Sequence, residues 1–83
     1  QNVEHLIWAE EKCKIILSGL IFERCRNVLP STIVKKYYDD CLNDACGCDN
    51  GRGGDCLCTA IANFATECTF LGVPTRWRTQ SLC

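Results

Sequence analysis

The residues best equipped for chemistry are the nine cysteines among 83 residues. Four of them, Cys46, Cys48, Cys56 and Cys58, fall in the stretch Cys-Gly-Cys-Asp-Asn-Gly-Arg-Gly-Gly-Asp-Cys-Leu-Cys. Such a cluster can hold a metal, carry a redox couple, or staple a fold. Structural zinc sites mix cysteine with histidine or use paired Cys-x-x-Cys knuckles. This chain has no Cys-x-x-Cys; its close pairs are Cys-x-Cys, and its one histidine, His5, is far from them in sequence. Cysteine above roughly 8–10% of a short chain marks a disulfide scaffold. Disulfides persist in oxidising compartments, so a secreted, extracellular chain with no metal or cofactor is expected.

Catalysis needs a nucleophile beside a base, or paired acids, in a pocket. A Cys/His couple with His5 can be drawn, but His5 falls in a first helical turn that is expected to fray. Thiols in an oxidising compartment are consumed in disulfides, which removes the nucleophile. Asp39, Asp40 and Asp44 line a polar helix face, where Lys35–Asp39 and Lys36–Asp40 are i,i+4 pairs that support the helix. Asp49, Asn50 and Asp55 are too few oxygen ligands for calcium, and no EF-hand spacing occurs. The string Gly-Arg-Gly-Gly-Asp has one residue too many for an Arg-Gly-Asp tripeptide. No enzyme is therefore expected.

The elements that must position the cysteines are helical. Leu6, Ala9, Cys13, Ile16, Leu17 and Leu20 recur at threes and fours, one face of a helix from Val3 to Ser18. Ser18-Gly19 supplies a stop. Trp8 lies off this stripe and reads as a core-edge residue or a partner contact. Ile21, Phe22, Cys25, Val28 and Leu29 suggest a helical turn or two. Pro30-Ser31-Thr32 opens a third helix, on which Ile33, Tyr37, Cys41 and Ala45 form a stripe widened by Val34, Tyr38 and Leu42. Gly47 is expected to end it. Asn50-Gly51 and Gly53-Gly54 make residues 47–55 a loop, and Asp55 is expected to cap the next helix. That helix carries Leu57, Ile61, Phe64, Ala65, Cys68 and Leu71 and closes at Gly72 and Pro74. The remainder, through Arg76-Trp77-Arg78 to Cys83, has no helical period. It reads as an irregular tail, with the Arg-Trp-Arg triplet either a cation–π sandwich or a packing anchor. The fold class is small, disulfide-rich and mainly α, with three to four short helices and an irregular C-terminal tail.

Eighty-three residues make one small domain, whose modest core benefits from about 2–4 kcal/mol per disulfide. Nine basic and ten acidic residues leave a formal charge of −1. No basic stripe suggests nucleic acid, and the apolar runs are too short to span a bilayer. The N-terminal residues do not show the pattern expected of a signal peptide. The expectation is a mature secreted chain or a piece cut from one. No Asn-x-Ser/Thr sequon occurs.

The order Cys13, Cys25, Cys41, Cys46, Cys48, then Asp55-Cys56-Leu57-Cys58, an Ala-rich helix to Cys68, and Trp77-Arg78-Thr79 before Leu82-Cys83 resembles the eight-cysteine domain of von Willebrand factor type D assemblies. Such domains occur in von Willebrand factor, gel-forming mucins, otogelins, tectorins and zonadhesin. The resemblance covers essentially the whole chain, residues 1–83. It implies a fragment of a larger multidomain secreted glycoprotein. Its neighbours in the same chain would be a von Willebrand type D domain and a trypsin-inhibitor-like domain, packed with it as one assembly. It implies no activity and no cofactor.

The resemblance further implies the pairs Cys13–Cys41, Cys25–Cys68, Cys48–Cys56 and Cys58–Cys83. Cys46 is left without a partner, which in relatives lies just upstream of the first helix and here would precede Gln1. Polymerising members resemble Cys-x-Cys-x-Cys at the last helix, where the middle cysteine links two chains. Only Cys56 and Cys58 stand here, and a gapless alignment puts Cys56 on the linking position. Cys48–Cys56 is preferred because Cys48 otherwise lacks a partner as well; an interchain bond at Cys56 is the alternative.

The expected function is thus a structural, non-catalytic module. It packs against neighbouring domains, with Trp8 and Trp77 as candidate interdomain contacts, and supports polymer or matrix assembly of a homo-oligomeric mucin-like or von Willebrand factor-like parent. A self-contained secreted cysteine-rich ligand or toxin is the alternative, disfavoured by the odd cysteine count. A thiol enzyme or metal protein is the third reading and requires free thiols.

Overall fold

Four helices carry the chain: α1 (Val3–Leu17), α2 (Glu23–Val28), α3 (Ser31–Cys48) and α4 (Asp55–Phe70). The computed structural model describes residues 3–48, 54–79 and 82–83, with Cys48 described in its backbone only. Among the described residues there is no strand, and residues 73–79 follow α4 without regular structure. The mainly helical, disulfide-rich class is what the structure shows. The Asn50-Gly51 turn, the calcium candidates Asp49 and Asn50, and Gly53 lie outside the described residues.

α1 packs on α3, α3 on α4, and α1 more lightly on α4. His5 lies beside Ala45 and Cys13 beside Cys41, so α1 and α3 run antiparallel. The core between the helices is Ala9, Cys13, Ile16, Phe22, Cys25, Val34, Cys41, Ala45, Leu57, Ala60, Ile61, Phe64, Ala65, Cys68 and Trp77. Phe64 sits at its centre. Phe22 meets it edge-on with ring centroids 4.9 Å apart, and Tyr37 is tilted against it at 5.4 Å. Offset and edge-on contacts of this kind add to simple area burial, because the positive ring edge faces the negative ring face.

The helix ends depart from expectation at three places. Gly47 does not stop α3, which continues to Cys48. Gly47 takes no left-handed φ, and nothing lies within 4 Å of the Cβ it lacks. It is a tolerated helical glycine. Asp55 does not cap α4: Gly54 occupies the N-cap at φ +89°, no side chain caps, and Asp55 is the first helical residue. Its carboxylate then complements the helix dipole from the first turn. Finally, Leu6, Leu17, Leu20 and Leu71 belong to apolar stripes by spacing, yet stand exposed.

The end of α4 follows expectation. Gly72 adopts φ +83°. The Val73 amide donates to the Cys68 carbonyl at 2.9 Å, and the Gly72 amide to Thr69 at 3.0 Å. These are the two bonds of a Schellman closure, which satisfies carbonyls that have no intrahelical partner.

Candidate functional site

The candidate site is the disulfide framework together with the surface it leaves uncovered. Cys13 on α1 is bonded to Cys41 on α3, with Cα atoms 6.0 Å apart. Cys25 on α2 is bonded to Cys68 on α4, at 5.5 Å. Cys58 in the first turn of α4 is bonded to Cys83 at the end of the tail, at 6.0 Å. All three Cα spacings lie within the range a disulfide spans. Cys13, Cys25, Cys41 and Cys68 are fully buried, so these bridges sit inside the core. Cys56 is also disulfide-bonded. The Cys48–Cys56 assignment falls on the Cys48 side chain, outside the described residues. Cys46 is a half-buried free thiol on the last turns of α3.

The three described bonds close separations of 28, 43 and 25 residues. On a chain-entropy view each restricts the unfolded state by roughly 3.5–4 kcal/mol. Their distribution matters as much as their size. One joins the two long antiparallel helices, one joins α2 to α4, and one joins the irregular tail to α4. α2 has six residues, too few to be stable as an isolated helix. It is held by Cys25–Cys68, by Phe22 against Phe64, and by Arg26.

Arg26 was not singled out by sequence reasoning, because its targets are not local in pattern. Its guanidinium donates to the Ile15, Ile16 and Ser18 carbonyls at 3.4, 3.2 and 3.5 Å, and to the Gly19 carbonyl. One side chain thus closes the C-terminus of α1, where orphan carbonyls and the negative end of the helix dipole both favour a cation. His5 is likewise better held than its first-turn position suggests. Its Nε2 lies 3.0 Å from the Ala45 carbonyl, and its ring stacks on Trp8 with centroids 5.1 Å apart. Trp8 is half-buried against the core edge. Trp77 is 6% exposed and packs the tail onto the helices, so most of its surface is already used within this chain.

The two expected ion pairs form on the outer face of α3. Lys35 lies 3.0 Å from Asp39 and Lys36 3.0 Å from Asp40. Both are exposed, and such pairs contribute little each. Tyr37 donates its hydroxyl to Glu67 at 3.2 Å, linking α3 to α4. Burial, then the Glu67 carboxylate, push the Tyr37 phenol above its ordinary value of 10.0. Tyr38 is raised as well, by burial and then by Glu10 and Asp39.

A cleft of about 600 Å³ is walled by Leu17, Leu29 and Val34, with Arg26 and Lys35 at its sides. Both cations are occupied, one by α1 carbonyls and one by Asp39. Among the described residues no group of three or more His, Cys, Asp or Glu side chains is placed to hold a metal ion, and no helix is long and apolar enough to cross a membrane.

A small helical module, stapled through its core and capped by long-range contacts, is the class of protein that this geometry defines. The C8 domain family model matches residues 12–83, and the chain belongs to that family. It is 44% identical to SCO-spondin of Gallus gallus over 82 residues, 99% of this chain and 2% of that protein. It is 45% identical to Mucin-5B of Homo sapiens over 76 residues, 92% of this chain and 1% of that protein. Mucin-2 of Mus musculus is 41% identical over 82 residues, 99% of this chain and 2% of that protein. The chain therefore spans only a few hundredths of the length of these relatives.

Proposed function

We propose that this C8 domain is a non-catalytic, extracellular structural module of a larger secreted glycoprotein. In this reading it packs against an adjacent von Willebrand type D domain and a trypsin-inhibitor-like domain, and supports polymer or matrix assembly. The observation that carries it is apolar surface left open on a disulfide-stapled core. Leu20 and Phe70 are each 83% exposed, and Ile21 and Leu71 stand exposed beside them in sequence. Leu20 lies five residues before Cys25 and Phe70 two residues after Cys68, so the Cys25–Cys68 bond limits how far apart the two stretches can be. A second exposed set, Val3, Leu6 and Ile7, lies on α1 toward the end that carries Cys46. Isolated exposed apolar residues are ordinary, but grouped ones mark contact surfaces. The half-buried Cys46 thiol supports a disulfide to a cysteine outside this chain, in a segment running past α1. Cys48–Cys56 closes the loop before α4 in the same reading.

The test compares this chain with a longer piece of its parent protein carrying the neighbouring domains. Hydrogen exchange at Ile7, Leu20, Phe70 and Leu71 should slow markedly in the longer piece. Non-reducing peptide mapping of that piece should join Cys46 to an upstream cysteine and Cys56 to Cys48. Unchanged exchange at all four sites sinks the packing reading. A peptide joining Cys56 to a second chain overturns Cys48–Cys56 and makes the module a direct chain linker.

A further inference from the structure

The tail triplet Arg76-Trp77-Arg78 is not used by the framework, yet it is shaped. From Val73 to Arg78, half-buried or buried residues alternate with exposed ones. That is the period of an extended chain. Thr75 and Trp77 face the helices while Arg76 and Arg78 face solvent. Thr75, Arg76, Trp77 and Arg78 line a cleft of about 380 Å³. The Arg78 guanidinium lies over the Trp77 ring, 4.5 Å from its centroid. Trp77 is itself fixed in the core, so the guanidinium plane is held before any ligand arrives.

Neither arginine has an ion-pair or hydrogen-bond partner among the described residues. Lys35 and Lys36 are paired with aspartates, and Arg26 is saturated by carbonyls. Lys12, Lys14 and Arg24 are open as well, but they stand on helices, whereas Arg76 and Arg78 line a cleft together and Arg78 rests on an indole. Arg76 and Arg78 stand two residues apart in an extended segment, which directs both side chains to the same, solvent side. Their planar forks match the oxygens of a carboxylate or sulfate. The Thr75 hydroxyl donates to the Val73 carbonyl at 3.1 Å and helps to hold the segment extended. A volume of this size lies at the small end of ligand sites. It accommodates one or two sugar rings rather than a stretch of peptide. A chain of net charge −1 supplies no broad field for a long polyanion.

We propose that the Arg76–Trp77–Arg78 cleft binds an acidic sugar unit, the two guanidiniums taking its carboxylate or sulfate group. This goes beyond the structural role and does not depend on it.

The test is NMR titration of the oxidised chain with sialyllactose, which carries a carboxylate, and N-acetylglucosamine 6-sulfate, with lactose as the neutral control. At least one acidic sugar should shift the Trp77 indole N–H and the Arg78 side-chain N–H with a dissociation constant on the order of millimolar. The Trp8 indole should stay still and serves as internal reference. R76Q and R78Q should each weaken binding about tenfold, the loss of one charge-assisted contact. R78K, which keeps the charge but not the plane, should behave like R78Q. Both positions are exposed, and an unchanged amide spectrum will verify each fold. The proposal is overturned if neither acidic sugar shifts Trp77 at about 50 mM, a concentration well above that affinity. It is equally overturned if lactose shifts it as much, if the variants bind unchanged, or if only an acidic peptide such as tetraglutamate binds.

Discussion

At the residue scale, single side chains with distant partners hold the helices in place. Arg26 closes α1 through four carbonyls, so Arg26→Ala should destabilise the chain by about 1.5–3 kcal/mol, as for hydrogen bonds to a charged group. Arg26→Lys should recover less than half of that, because one ammonium cannot span the same carbonyls. Denaturant unfolding with disulfides intact measures both. Tyr37 provides a test in pH. Its folded pKa is raised above 10.0 by burial and by Glu67, so the neutral phenol is the form the fold prefers. That contribution is complete below the unfolded value and is lost as pH rises through the folded one. Ultraviolet titration should therefore place both tyrosines above the free phenol. Glu67→Gln should lower the Tyr37 midpoint and leave Tyr38 in place. A Tyr37 midpoint unmoved by that substitution contradicts the assigned cause.

At the scale of elements, the glycines separate local from tertiary control. Gly72 holds a left-handed φ and Gly47 does not, although both have open space where a Cβ would stand. Gly72→Ala should cost about 1 kcal/mol through backbone strain alone. Gly47→Ala should stabilise by about 0.5–1 kcal/mol, because it sits inside α3. The opposite signs, read from melting or denaturant curves, check the reassignment of Gly47 from helix stop to helix interior. The reading of Gly47 from sequence failed because glycine is ambiguous by itself. It ends a helix only where the following chain turns away, and α3 has core contacts through Ala45 that carry it on. The Gly72 closure was legible because Pro74 follows and an apolar stripe ends there. Element existence followed from periodicity: Ala9, Cys13 and Ile16 on α1 are buried, as are Leu57, Ile61, Phe64 and Cys68 on α4.

For the whole molecule, stability rests on bonds between elements that are too short or too irregular to stand alone. Replacing Cys25 and Cys68 together by alanine should lower stability by roughly 4 kcal/mol. It should also release α2 first, seen as early loss of amide protection at Arg24 to Val28 while α1 and α3 remain protected. The corresponding loss of Cys58–Cys83 should free the tail and broaden the Trp77 indole signal, with the helices intact. Simultaneous loss of all protection in either variant contradicts this division of labour.

What the sequence determined by itself is the class of solution. Cysteine density without metal spacing required staples, apolar positions at threes and fours required helices, and the order of cysteines and the Trp-Arg-Thr ending carried the family. What only the tertiary structure decided is which parts of each stripe are covered. It also decided which polar groups meet across 30 or 40 residues, as Tyr37 meets Glu67 and His5 meets Ala45. The physical reason is one of range. Periodicity is a local property and reports the direction in which a side chain points. Whether Leu20 or Phe70 is buried, and whether Arg26 finds carbonyls or Arg78 finds an indole to rest on, depends on where other elements end in space.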